Sequence, residues 1–280
     1  RFPQGTVIAP GDHLTLYLSG TAGVTGGGVL SASFRLSADG GYALTLSDAS
    51  GALLDRVFVP EQYTGISYAR MADGNFLYTA EDTPDRVNAQ TGYQGRTQAP
   101  AFSIPGGPQA EGATLQVELT AAPGARIFYT LDCPAPGETD APYTGPIAVT
   151  DTTVVRAVAY QEGYLPSYSA SQSYLYDAEH TLRVVSMVAD PEDIFGSEGF
   201  HTLYERDLER PGHIEVYTEN GAQMLSENCA LRLHGQGSRK YQQKGFKVIA
   251  RREYGTNRFR APLFSGRDYT EYQSFLLRAS

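Results

Sequence analysis

Short alternating apolar runs, each closed by a glycine or proline turn, recur along this chain and leave little room for helices. Leu14, Leu16 and Leu18 alternate after Pro10-Gly11, Gly26-Gly27-Gly28 reads as a loop tip, Phe34-Arg35-Leu36 reads as a short strand, and Leu44-Thr45-Leu46 leads into Asp48-Ala49-Ser50-Gly51. Leu115, Val117 and Leu119 precede Pro123-Gly124, and Ile214 and Val216 precede Asn220-Gly221. A two-residue apolar period places one face of a strand against a core. Glycine and proline supply the backbone angles at which strands reverse. Thirty glycines, sixteen prolines and nineteen tyrosines argue the same way. The expected fold is mainly β: two β-sandwich modules of immunoglobulin-like type, then the first, largely β part of an α+β domain. At 280 residues, two or three domains fit, each able to bury a core.

Charge is distributed unevenly. All the lysines, Lys240, Lys244 and Lys247, lie near the end of the sequence. From Cys229 onward there are 11 basic and 3 acidic residues, whereas the preceding residues hold 11 basic and 28 acidic. A basic end on an acidic protein needs an anionic partner, either a ligand or the chain's own acidic modules. The overall pI of about 5.1 argues against nucleic acid as the main partner. No apolar run reaches transmembrane length. No signal peptide is present, and Arg1 opens in mid-pattern, which is compatible with a removed leader. Cys133 and Cys229 fall in different expected modules, so two free, buried thiols are expected.

Within the basic end, Leu231 and Leu233 alternate with Arg232 and His234 as a half-buried strand. Gly235-Gln236-Gly237-Ser238 breaks it. A second strand follows, with Phe246, Val248 and Ala250 on one face and Lys247, Ile249 and Arg251 on the other. Backbone N–H groups freed by a glycine loop can face phosphate oxygens, and a nearby lysine can neutralise them. The spacing is neither a Walker A motif nor a dinucleotide fingerprint, since Lys240 stands where the third glycine would be. By these rules a plain basic hairpin and a phosphate cradle both remain open.

The same segment resembles the opening strands of the CotH kinase-like family. The residues that carry this are Arg232-Leu233-His234-Gly235, Ser238-Arg239, Gln243-Lys244, Phe246-Lys247, Tyr254-Gly255, Pro262-Leu263-Phe264 and Leu276-Leu277-Arg278. Gly245 replaces the family's usual serine, and Ala279-Ser280 its usual Asn-Ser. The resemblance implies that Arg239, Lys244 and Lys247 contact the phosphates of ATP. The family's metal-binding and catalytic aspartates fall beyond Ser280, so no catalytic residue and no metal ligand is assigned. The implied reaction of the full-length protein is phosphoryl transfer from ATP to a protein hydroxyl with Mg or Mn. This chain alone is expected to be inactive.

Residues 1–93 resemble a lamin-tail domain lacking its opening strands. The carriers are Pro10-Gly11, Phe34, Leu36-Ser37, Leu44, Leu46, Asp48, Gly51, Asp55, Ser67-Tyr68, Arg70, Thr83-Pro84 and Asn88. The strand near Leu14 to Leu18 should therefore have an open edge. Ser67, Tyr68 and Arg70 read as a strand and turn that lock the module rather than as a site. A polar linker at 94–99 leads to residues 100–176, where Val154 to Tyr160 is a strongly apolar strand. This part resembles the chitobiase/β-hexosaminidase C-terminal domain through Phe102-Ser103, Gly106-Gly107, Tyr129-Thr130-Leu131-Asp132, Tyr143-Thr144-Gly145-Pro146-Ile147, Arg156-Ala157 and Pro166-Ser167. It implies an accessory module with no carboxylate pair. Cys133 replaces the glycine that usually follows the aspartate, and Asp132 reads as a turn cap.

Residues 177–280 then resemble the start of a CotH kinase-like domain, expected to be C-terminally incomplete. Leu182 to Val188 is an expected strand, and Asp190-Pro191 an expected helix start. Five scattered histidines show no metal-ligand spacing, and no Gly-x-Ser-x-Gly elbow occurs. The resemblances imply a secreted or cell-surface protein acting on a protein substrate or a surface polymer. The alternative is an adhesion or glycan-binding protein whose kinase-like segment is structural. The absence of tryptophan counts against sugar stacking, although tyrosine can substitute.

Overall fold

The computed structural model describes residues 2–24, 29–176 and 181–278. The expected loop tip Gly26-Gly27-Gly28, His180 and Ala279-Ser280 lie outside the described residues. The fold is mainly β, as the alternation required. Two compact units comprise residues 1–95 and 96–280.

Unit 1–95 is built from short pieces. Leu30–Ser31 pairs in parallel with Leu16–Tyr17 and antiparallel with Gly23–Val24, which leaves Leu16–Tyr17 at one edge of this sheet. Tyr42–Ser47 pairs with Leu53–Val59 across the expected turn. Asp48 Oδ1 accepts from Ser50 N at 2.8 Å and Ala52 N at 2.9 Å, the local bonding that makes aspartate a turn former. Phe34-Arg35-Leu36, expected as a strand, has no ladder partner. Arg35 Nε donates instead to Ser19 O at 2.8 Å, and a turn begins at Ser37. Ser67–Arg70 pairs with Phe76–Thr79. Arg70 Nη2 donates to both oxygens of Asp55 at 2.7 and 2.9 Å, and the Asn88 amide donates to Arg70 O. These bonds tie Arg70 to its neighbours as expected; Ser67 and Tyr68 take part in the ladder, and Tyr68 also packs against Phe76 and Tyr78. Buried apolar side chains are few in this unit, and Leu53, Leu54 and Phe58 are exposed.

Unit 96–280 holds two packed cores. In the first, a five-stranded sheet runs in the order Ala141–Pro142, Arg126–Thr130, Thr153–Tyr160, Ala170–Leu175, Gly107–Pro108. It encloses Val155, Ala157 and Tyr174 together with Val117, Leu119, Ile147 and Val149 from shorter ladders. In the second, an antiparallel sheet runs in the order Val184–Val188, Glu209–Tyr217, Gln223–His234, Gly245–Ile249, Ser274–Leu277. Its apolar face carries Ile214, Val216, Cys229, Leu231, Leu233, Phe246 and Val248, covered by Phe200, Phe259 and Leu263. The Asn220-Gly221 turn joins two of these strands, with Gly221 at φ 80. The helix Pro191–Phe195 starts as expected: Asp190 accepts from Glu192 N at 2.9 Å, and proline occupies the first turn.

Both cysteines are free. Cys229 is buried in the second core and Cys133 half-buried. The expected linker at 94–99 is flanked and entered by isolated bridges. Tyr93 bridges Tyr78 in the first unit, and Arg96 bridges Leu165 in the second.

Candidate functional site

The glycine loop and its basic neighbours occupy one edge of the second sheet. His234 ends its strand and Gly235 turns away at φ 104, a conformation that disfavours any side chain. A Cβ on Gly235 would lie 2.2 Å from Ser238 Oγ, so the loop closes over Ser238 because no side chain intervenes. A tight turn of 3-10 type spans Gly237–Lys240. Lys244 then reaches back under the loop. Its Nζ donates to Arg239 O at 2.6 Å and Tyr241 O at 2.9 Å, and lies 5.4 Å from the ring centre of Tyr204. Loss of water around this ammonium lowers its pKa.

The three cations expected to touch phosphate have different immediate partners. Lys244 latches the loop through backbone carbonyls. Arg239 points to Asp207, whose Oδ1 accepts from both Nη atoms at 3.1 Å. Lys247 is exposed on the outward face of its strand, opposite Arg232 in the ladder. Arg232 in turn lies 3.4 Å from Asp207 Oδ2. Next along this face, Arg251 grips both oxygens of Glu209 at 2.8 Å. An open cleft of about 540 Å³ lies beside these groups, lined by Tyr204, Glu205, Asp207, Gly235, Gln236, Gly237, Arg239 and Lys240. The arrangement can hold an anion by exchanging carboxylate for phosphate on the arginines. Among the described residues no group of three or more His, Cys, Asp or Glu side chains could hold a metal ion.

A second polar cluster lies on the reverse face of the same sheet, against the Ala170–Leu175 strand. Glu215 is fully buried. Its oxygens accept from Ser173 N at 3.0 and 3.2 Å, and Gln223 Nε2 adds a bond at 3.3 Å. Among the described residues no cation bonds to it, and burial raises its pKa. Beside it, His213 Nδ1 lies 2.9 Å from Asn228 Oδ1, and Nε2 lies 3.1 Å from Ser226 Oγ. The Asn228 amide donates to Ser169 O at 2.7 Å, which orients the amide and places the imidazole proton on Nδ1. Serine, histidine and asparagine stand here in the order of a nucleophile relay. Burial lowers the His213 pKa to about 4, too weak a base to activate a hydroxyl at neutral pH. The row ties two sheets together.

The sequence left Asp207, His213 and Glu215 unassigned. Asp207 sits in an irregular turn with no periodic signal. Ser171 and Ser173, alternating on one strand with Ser169 just before it, were the available cue that the opposing surface is polar and covered.

Residues 105–171 match the family model of the chitobiase/beta-hexosaminidase C-terminal domain. The chain thus contains a β-rich domain of that carbohydrate-active-enzyme-like kind, over less than half its length. No curated protein and no solved structure matches the chain. Among the described residues no helix is long and apolar enough to cross a membrane.

Proposed function

We propose that this chain carries two accessory β modules, the first lamin-tail-like, ahead of the opening strands of a CotH-like protein kinase domain. The protein is secreted or displayed at the cell surface. In the full-length protein the reaction is phosphoryl transfer from ATP to a protein hydroxyl, supported by Mg or Mn held elsewhere. The contribution of this chain is a phosphate contact. The observation that carries the reading is the glycine loop, latched by Lys244 beside an open cleft that Arg239 lines. Lys244 acts as the positioning residue that keeps the loop closed, Arg239 meets the phosphate, and Lys247 adds positive potential from the neighbouring strand.

Titration of the purified chain with ATP by calorimetry, at low and moderate salt, tests this. Weak binding that declines with salt is expected. Arg239→Ala and Lys244→Ala should each weaken it by at least about tenfold, equivalent to about 1.4 kcal/mol. Absence of heat both in the folded wild-type chain and in the chain relieved of the Asp207 carboxylate by Asp207→Asn would sink the reading. That outcome would favour the adhesion or glycan-binding alternative, which has the match over residues 105–171 on its side.

A further inference from the structure

We propose that Asp207 is a built-in competitor for the phosphate at this loop: its carboxylate occupies the anion position between Arg239 and Arg232, and a phosphoryl ligand must displace it. The inference rests on the nucleotide reading above. Asp207 reaches the site from outside the loop, through the turn that follows the helix Pro191–Phe195. Among the described residues its side-chain bonds and ion pairs go to these two arginines. The contact with Arg239 is end-on, both Nη atoms sharing one oxygen at 3.1 Å, and the buried Arg239 Nε has no partner. One carboxylate thus gives a single oxygen to each arginine. A phosphate, with three oxygens, can engage both arginines together. The Asp207 side chain is 67 % exposed and lines the open cleft. It is free to swing out without disturbing a core. Ion pairs of this exposure hold weakly and exchange readily.

The opposing account is that Asp207 holds Arg239 in its working position, in which case removing the charge would weaken binding. Calorimetry with ATP and with inorganic pyrophosphate, on the wild-type chain and on Asp207→Asn, separates the two. Asp207→Asn should bind both ligands more tightly, by about fivefold, the effect of one unit charge removed at contact distance in a solvated site. Binding detected only in Asp207→Asn would also support the proposal. Wild-type binding with an equal or weaker variant would overturn the competitor role and leave the nucleotide reading standing. Tightening for ATP alone would overturn it too, because Asp207 would then act on another part of the nucleotide. Failure of both proteins to bind either ligand would overturn the nucleotide reading and this inference together.

Discussion

Glu215→Ala is expected to lower the unfolding free energy of unit 96–280 by about 3 kcal/mol. The carboxylate accepts from Ser173 N and Gln223 Nε2 in a fully buried place. Truncation strands those donors without water and leaves a cavity beside them. Glu215→Gln keeps an acceptor and removes the ionisation. Burial raises the Glu215 pKa in the folded state above its ordinary 4.5, so the folded protein binds that proton more tightly than the unfolded one. The stability this group contributes is complete below the unfolded value and is lost as pH rises through the folded value. Urea unfolding at a series of pH values above 4 should show this decline in the wild type and not in Glu215→Gln. Equal pH dependence in both proteins would contradict the assignment of a buried, cation-free carboxyl.

Phe259→Ala should cost about 4 kcal/mol, the usual range for a core aromatic. Phe259 is fully buried and packs edge-on against Phe275 with ring centres 5.3 Å apart. The same substitution at Phe58, which is 62 % exposed, should change stability by no more than about 0.5 kcal/mol. The two units can unfold separately, so the transitions must be followed with a probe in each. A loss below about 1 kcal/mol at Phe259 would mean that the second core is not organised around this ring.

The local features were legible because their causes are local. Asp190-Pro191 starts a helix, Asn220-Gly221 turns a hairpin, and Phe246, Val248 and Ala250 share one buried face, all readable within a few residues of sequence. The expected strand at Phe34-Arg35-Leu36 failed because apolar alternation alone does not supply a ladder partner. Harder still was the reverse face of the second sheet. His213 and Glu215 alternate with Ile214 and Val216, which is how a solvated face reads. They are buried because a strand some forty residues earlier, around Ser173, lies over them. Ile249 is buried as well, although it lies outside the Phe246 core. The candidate site was half legible: the glycine loop and lysines could be picked out, but the partner of each cation could not. Lys244 bonds backbone carbonyls, which carry no sequence signature, and Asp207 comes from an irregular turn.

The bond from Ser173 N to Glu215 has a consequence for how this polypeptide can be divided. A strand normally spends its backbone donors on its own sheet; this one gives a donor to a side chain of the next sheet. Cutting the polypeptide near residue 176 would leave a buried acid facing water on one piece and an unanswered amide on the other. The strand Ala170–Leu175, which begins inside the segment matching the chitobiase/β-hexosaminidase C-terminal domain and runs past its end at residue 171, is thereby tied to the neighbouring sheet.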